Sequence, residues 1–192
     1  MMQKLYEQAK KLIDEATTVV VIQADNPDAD SLGSALALEQ ILHDLDKKPS
    51  LYCGVDIPDY LKHMPGWDRV SKDMPSVFEL SIIVDTGAIS LLEKLESSPM
   101  RGWVASRPCL VLDHHGDVLC DIPYATVAIN DSSKVSTGEL IYDLAGSLKW
   151  SVNLEAKTLI MSSILADSQG LTTENTTANS YRVMADLVEA GV

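Results

Sequence analysis

An α/β architecture, with a parallel β-sheet covered by helices, is the expectation from this sequence. Short runs rich in β-branched residues alternate with segments of helical periodicity, which is the pattern of strand–helix–strand units. Acidic and histidine residues gather where those runs end, and in open α/β sheets the carboxyl ends of the strands form the ligand crevice.

The chain opens with MMQKLYEQAKKLIDEA, an amphipathic helix carrying both signs of charge. TTVVVIQA at 17–24 follows as the first strand and runs into Asp25, Asn26, Pro27, Asp28, Ala29 and Asp30. LGSALALEQILHDL at 32–45 sets Leu32, Leu36, Leu38, Ile41, Leu42 and Leu45 mainly at helical spacings. LYCGV at 51–55 is a second strand, and DIPDYLKHMPGW at 56–67, with its prolines, glycine and aromatics, reads as a loop. SIIVDTG at 81–87 and CLVLDHH at 109–115 are strands ending on Asp85 and on Asp113, His114 and His115, the paired histidines pointing to opposite faces if they continue the strand. ATVAIN at 125–130 is a fifth strand, and STGELIYDLAGSL and NLEAKTLIMSSILADSQG are helices, the last bringing Asp167 to its end. DLVEAGV then follows a final helix.

With 192 residues and 46% hydrophobic content, the chain can bury about two-thirds of its unfolded surface and needs neither disulfide nor structural metal to fold. No repeat or low-complexity linker divides it, so residues 1–192 are expected to form one domain. Cys53, Cys109 and Cys120 are odd in number and lack CxxC spacing, which argues against a disulfide framework or thiolate zinc site and for a reducing, cytoplasmic setting. No apolar run reaches the roughly 18 residues of a membrane span, so no membrane is expected as partner. A formal net charge of −13 repels polyanions and leaves no basic stripe, so long nucleic acid is not expected to bind either.

The acidic and imidazole residues are the types that hold a pair of divalent ions, and two such ions need a shared carboxylate between them. Asp28 and Asp30 alternate after a strand, Asp85 can bridge, and His114 with Asp167 can complete the second ion. Each piece has an ordinary reading beside it: the DxD is also at home as a turn or helix cap, Asp85 as a strand end and Asp167 as a helix cap. Their combination carries more weight than any one of them.

NPDADSLGSALALE, IIVDTG, VLDHHG and ADSQGLTTENT resemble, in order and spacing, the four motifs of the DHH phosphoesterase superfamily. That superfamily includes RecJ-like exonucleases, oligoribonucleases acting on nanoRNA, exopolyphosphatases and family II inorganic pyrophosphatases. STGELIY at 136–142 is similar to the segment after the DHH triplet. The resemblance implies a Rossmann-like DHH domain and a phosphoesterase acting through two divalent cations, manganese or else magnesium. The substrate would be a small phosphorylated molecule, a nucleotide or short oligonucleotide. Asp28 would hold the first ion and Asp30 the second, Asp85 would bridge, and His114 and Asp167 would complete the second. His115 would face the phosphate or protonate the leaving oxygen, and Asp113 would orient the histidines. Ser34, with Gly33, would serve the turn into a helix whose amino end favours anions, and so contact substrate.

Two departures qualify the resemblance. Many members carry a histidine four residues before the first aspartate of PDxD, whereas Ala24 stands there here, as in RecJ-like members, which also lack it. The first site would then bind weakly, take water or borrow Asp25. Members resembling the nanoRNA and nucleotide phosphatases also continue into a smaller substrate-binding domain, which nothing in 1–192 matches, so the chain is expected to be a fragment of a longer protein in preference to a stand-alone catalytic half. A homodimer is compatible with this reading. A haloacid-dehalogenase phosphatase fits less well, because Asp28 lies four residues past Ala24, and the lack of a GxxxxGK[ST] or GxGxxG motif disfavours nucleotide triphosphatases and dinucleotide oxidoreductases. The alternatives are a catalytically weakened nucleotide- or metal-binding module and an exopolyphosphatase- or pyrophosphatase-like enzyme.

Overall fold

The computed structural model describes residues 2–116 and 119–192. Met1, which the periodicity places in the first helix, lies outside them. In chain order the elements are α1 (Met2–Glu15), β1 (Thr18–Gln23), α2 (Ala29–Asp44), β2 (Lys48–Cys53), β3 (Val70–Ser71), β4 (Leu80–Val84), α3 (Glu93–Glu96), α4 (Arg101–Ala105), β5 (Cys109–Asp113), β6 (Val127–Asn130), α5 (Thr137–Leu148), α6 (Leu154–Asp167) and α7 (Ala178–Glu189). The six strands pair in parallel in the order β3-β2-β1-β4-β5-β6. The expected α/β sheet is therefore present, with one short edge strand, β3, added by two residues that carry no strand-length pattern.

Alternate residues of each strand enter two cores. Val19, Val21, Ile82, Val84, Leu110 and Leu112 face a layer of α1, α2, α5, α6 and α7. Val20, Ile22, Ile83 and Val111 face the other side, where Leu92, Leu95 and Val104 from α3, α4 and their approaches cover them. Burial on both faces explains why the strands read as continuous apolar runs. The strand runs at 81–87 and 109–115 end sooner than their pattern suggests, at Val84 and Asp113, because the chain turns at the rim. The 56–67 segment contains the short 3-10 turn Asp59–Leu61, and a second such turn begins at its end, Trp67–Arg69.

Strand order reverses between β1 and β4: from β1 the chain winds outward to β2 and β3, then returns to β4 and winds the other way. Ligand crevices form at such a reversal, beyond the carboxyl ends of the strands. Local chemistry fixes the helix that starts there. Asp28 is extended (φ −120°, ψ −168°) and its Oδ1 accepts from Ser31 N at 2.9 Å, capping α2. This helix is buried nearly all round, as its apolar content requires. Helices α5 and α6 are capped in the same way by Ser136 and Asn153.

Helices α2 and α6 approach closely at Gly33, where an added Cβ would lie 2.9 Å from the Leu159 carbonyl oxygen. Gly33 thus serves helix packing, one turn into α2, and not the turn that enters it. No helix among the described residues is long and apolar enough to cross a membrane.

Candidate metal centre

Five acidic or imidazole side chains meet where β1, β4 and β5 end. Asp30, in the first turn of α2, is fully buried and accepts four hydrogen bonds: from Thr137 N (2.8 Å), Gly138 N (3.2 Å), Ser34 Oγ (2.9 Å) and Ser163 Oγ (2.5 Å). The first two donors are free amides at the amino end of α5, where the helix dipole favours an anion. Asp85 follows β4 with φ +63°, a left-handed backbone that Asp and Asn tolerate better than other side chains, and its Oδ1 accepts from Thr137 Oγ1 at 2.9 Å. Burial, then the charges of Asp30 and Asp28, push its carboxyl well above the usual carboxylate range. Burial, then Asp30 and Asp167, also raise Asp28 at the rim, despite the amide of Ser31.

His114 sits at the centre. Its Nε2 lies 3.1 Å from Asp167 Oδ2, 3.4 Å from Asp30 Oδ2 and 3.7 Å from Asp85 Oδ1, while its Nδ1 contacts the Lys134 carbonyl at 3.3 Å. Burial opposes protonation of this ring, yet Asp167 and Asp30 outweigh it and raise its pKa to about 9. Asp113, buried at the end of β5, accepts from the backbone amides of His114 and His115 and from His115 Nδ1 (2.8 Å). Burial alone would raise the Asp113 carboxyl, but these His115 contacts hold it below its ordinary value. The same contact raises His115.

The expectation that the two histidines point to opposite faces does not hold: the strand stops at Asp113, and the rings stand 4.4 Å apart between centroids on one side. Asp113 orients the His115 ring, whereas the Lys134 carbonyl orients that of His114.

These groups fit a divalent cation. Two triads, Asp30–His114–Asp167 and Asp85–His114–His115, place oxygen and nitrogen donor atoms within 4.8 Å of one another. The buried Nε2 of His114 makes no aligned hydrogen bond, and three carboxylates converge on it within 4 Å. Among the described residues no lysine or arginine pairs with Asp28, Asp30, Asp85 or Asp167, and the last three share His114 instead. Asp28 belongs to neither triad and flanks them. A cleft of about 370 Å³ opens beside the cluster, lined among others by Asp85, His114, His115, Ser132 and Asn175.

Comparison with known proteins places the chain. Residues 18–167 match the DHH family, N-terminal domain. The chain belongs to the DHH family. Asp113, His114 and His115 lie within the matched residues. A curated relative, the bifunctional oligoribonuclease and PAP phosphatase NrnA of Thermus thermophilus, is 28% identical over 167 residues, covering 87% of this chain and 48% of the relative. The chain thus spans about half the length of the curated DHH relatives it matches. An exopolyphosphatase-related protein from Bacteroides fragilis superposes with a TM-score of 0.84 at 22% identity, over 99% of this chain and 57% of that one. The exonuclease RecJ bound to manganese superposes with a TM-score of 0.55 at 14% identity, over 98% of this chain and 47% of that one. Both likenesses are of fold.

Within this DHH domain, two expected roles need correction. Ser34 cannot meet a substrate: it is fully buried within α2, one turn beyond Asp30, and donates to that carboxylate. Asp25 does not replace the histidine missing at Ala24, because its Oδ2 accepts from Lys94 N at 2.8 Å and ties it to α3. Sequence reasoning also missed Thr137, Gly138, Ser163 and Lys134. The S-x-x-E spacing of Ser136 and Glu139 is a helix-start signal that would have placed the free amides of α5. Ser163, a hydroxyl inside an apolar helix, carries only the hint that such a residue has a buried partner.

A Cβ on Gly138 would stand 2.1 Å from Ser163 Oγ and 2.7 Å from its Cβ. Gly138→Ala is expected to force α5 off the Asp30 carboxylate and cost about 1–3 kcal/mol, read as a lower unfolding midpoint in urea. An unchanged midpoint would mean that the α5 amino end is not packed as described.

Proposed function

We infer that this chain hydrolyses phosphoester bonds of small nucleotides or short oligonucleotides, using two divalent cations, manganese in the first instance and magnesium as substitute. The observation that carries this reading is the convergence of three carboxylates on the Nε2 of His114 at the rim of the sheet. Asp30, His114 and Asp167 would hold one ion; Asp85 would be shared, and Asp28 would serve the other. When bound, such ions lower the pKa of water and neutralise phosphoryl oxygens.

The chain's own residues do the rest. The α5 amides and the hydroxyls of Ser34 and Ser163 fix the direction of the Asp30 carboxylate. Asp113 accepts a hydrogen bond from His115 Nδ1, which leaves Nε2 for the substrate, and the raised pKa of His115 suits it to protonate a leaving oxygen. The names of the T. thermophilus relative and of the manganese-bound nuclease support a nucleotide substrate and manganese.

With manganese, the chain is expected to hydrolyse bis-p-nitrophenyl phosphate, and a chelator to stop it. His114→Ala should lower turnover by more than about 100-fold, since even an outer partner of a metal ligand is worth 10–100-fold. Chelator-resistant turnover would contradict the reading. Manganese binding without turnover of mononucleotide, dinucleotide or pyrophosphate would instead favour a binding module, to which the Ala24 replacement points.

A further inference from the structure

The carboxylate cluster is flanked on its β4–β5 side by the cleft, and on its β2 side by the segment that follows β2. The turn Asp59–Leu61 in that segment projects one ring outward. Tyr60 is 65% exposed, while Ile57, Leu61 and Met64 around it are buried and pin the turn to the core. Two contacts hold Tyr60 in place: its hydroxyl donates to the Pro27 carbonyl at 3.5 Å, and its own carbonyl meets His63 Nδ1 at 2.7 Å. Pro27 immediately precedes Asp28. Of the exposed aromatic side chains among the described residues, Trp103 stacks on Arg107 and Tyr181 belongs to α7, so Tyr60 is the one attached to the metal-site loop. Lys62 and His63 stand beside it, both exposed; Lys62 pairs with Asp59 through a solvent-exposed contact of little strength and lies over the Trp67 ring, 5.1 Å from its centroid.

We propose that Tyr60 is a stacking platform for the nucleobase of the nucleotide whose phosphate lies at the carboxylate cluster. The proposal rests on the phosphoester reading above and adds to it the part of the substrate that is recognised. A large apolar ring kept in water on a rigid turn loses little conformational freedom when a base covers it, and stacking accepts any base because each has a π-face. Lys62 brings one positive charge to this turn in a chain that is otherwise strongly acidic. The ring therefore separates nucleotides from inorganic phosphates that the metal cluster alone would not distinguish.

The test is calorimetric binding of 5′-AMP and of inorganic phosphate to the manganese-loaded chain, as wild type, Tyr60→Ala and Tyr60→Phe. The wild type should bind 5′-AMP about 5- to 100-fold more tightly than phosphate, the range expected of one stacked base. Tyr60→Ala should lose that preference with phosphate binding unchanged, and Tyr60→Phe should retain it. Equal affinity of wild type and Tyr60→Ala for 5′-AMP would overturn the proposal. So would a loss in Tyr60→Phe as large as in Tyr60→Ala, which would assign the effect to the Pro27 tether. If manganese-loaded wild type bound neither ligand, the phosphoryl reading of the site would fall together with the platform, a result distinct from both.

Discussion

Replacing Asp85 with asparagine is expected to raise the melting temperature of the metal-free protein while abolishing its metal-dependent hydrolysis. Asp85 is buried, sits at φ +63° and faces Asp30 and Asp28. Asparagine tolerates that backbone and can keep an oxygen on Thr137 Oγ1, so the substitution removes charge without removing packing. Because folding raises the Asp85 pKa, its protonated form is favoured in the native state. That contribution is fully present below the unfolded value of about 4 and is lost as pH rises through the folded one. At neutral pH the wild type therefore carries a cost that the amide escapes, and the gain should vanish in acid, where both side chains are neutral. For a chain of this size each kcal/mol corresponds to roughly 2–4 °C, so a rise of a few degrees by scanning calorimetry at pH 7 is the expected result. A lower melting point at pH 7 with retained hydrolysis would show that Asp85 is a structural turn residue and no metal ligand. Opposite signs for stability and activity are what a strained, like-charged site predicts.

Manganese binding is expected to release about one proton per chain at pH 7.5 from His114, with any further release coming from Asp85. The His114 ring titrates at about 9 in the metal-free protein, so it is an imidazolium at neutral pH, and a cation can be coordinated only by the neutral ring. Apparent affinity should accordingly climb about ten-fold per pH unit and level off near pH 9, a gain on the order of 100-fold between pH 7 and 9. Titration calorimetry in buffers of different ionisation enthalpy measures the proton, and the slope of affinity against pH measures the site. The stability of the metal-free chain runs the other way. The raised His114 pKa stabilises it fully below the ring's ordinary value of 6.5, and this support is lost as pH rises through about 9. Affinity independent of pH would mean that His114 is not a ligand.

Much of this architecture was legible beforehand because its signals are local. The β-branched runs of β1, β4 and β5, the apolar helices α2 and α6, and the capping Asp28 follow from periodicity and turn chemistry within a few residues. The short α3 and α4 and the two-residue β3 had no such signal, since their place depends on covering the second face of the sheet. Ser34 was misread for the same reason: a serine one turn into a helix looks available to an anion until α6 is laid over it and Ser163 appears on the same carboxylate.

By itself the sequence determined which atoms are on offer, oxygens and imidazole nitrogens delivered to strand ends, because residue type and strand period need no partner to be read. Only the tertiary structure decided which of them meet. The β1–β4 reversal, the amino end of α5 and the Lys134 carbonyl bring Asp30, Asp85, His114 and Asp167 around one ring nitrogen. They leave Asp25 turned to α3 and Ser34 buried behind Asp30. The reason is physical: the direction of a side chain at a loop is set by hydrogen bonds from residues distant in sequence, such as the 107 positions between Asp30 and Thr137, and no local pattern encodes them.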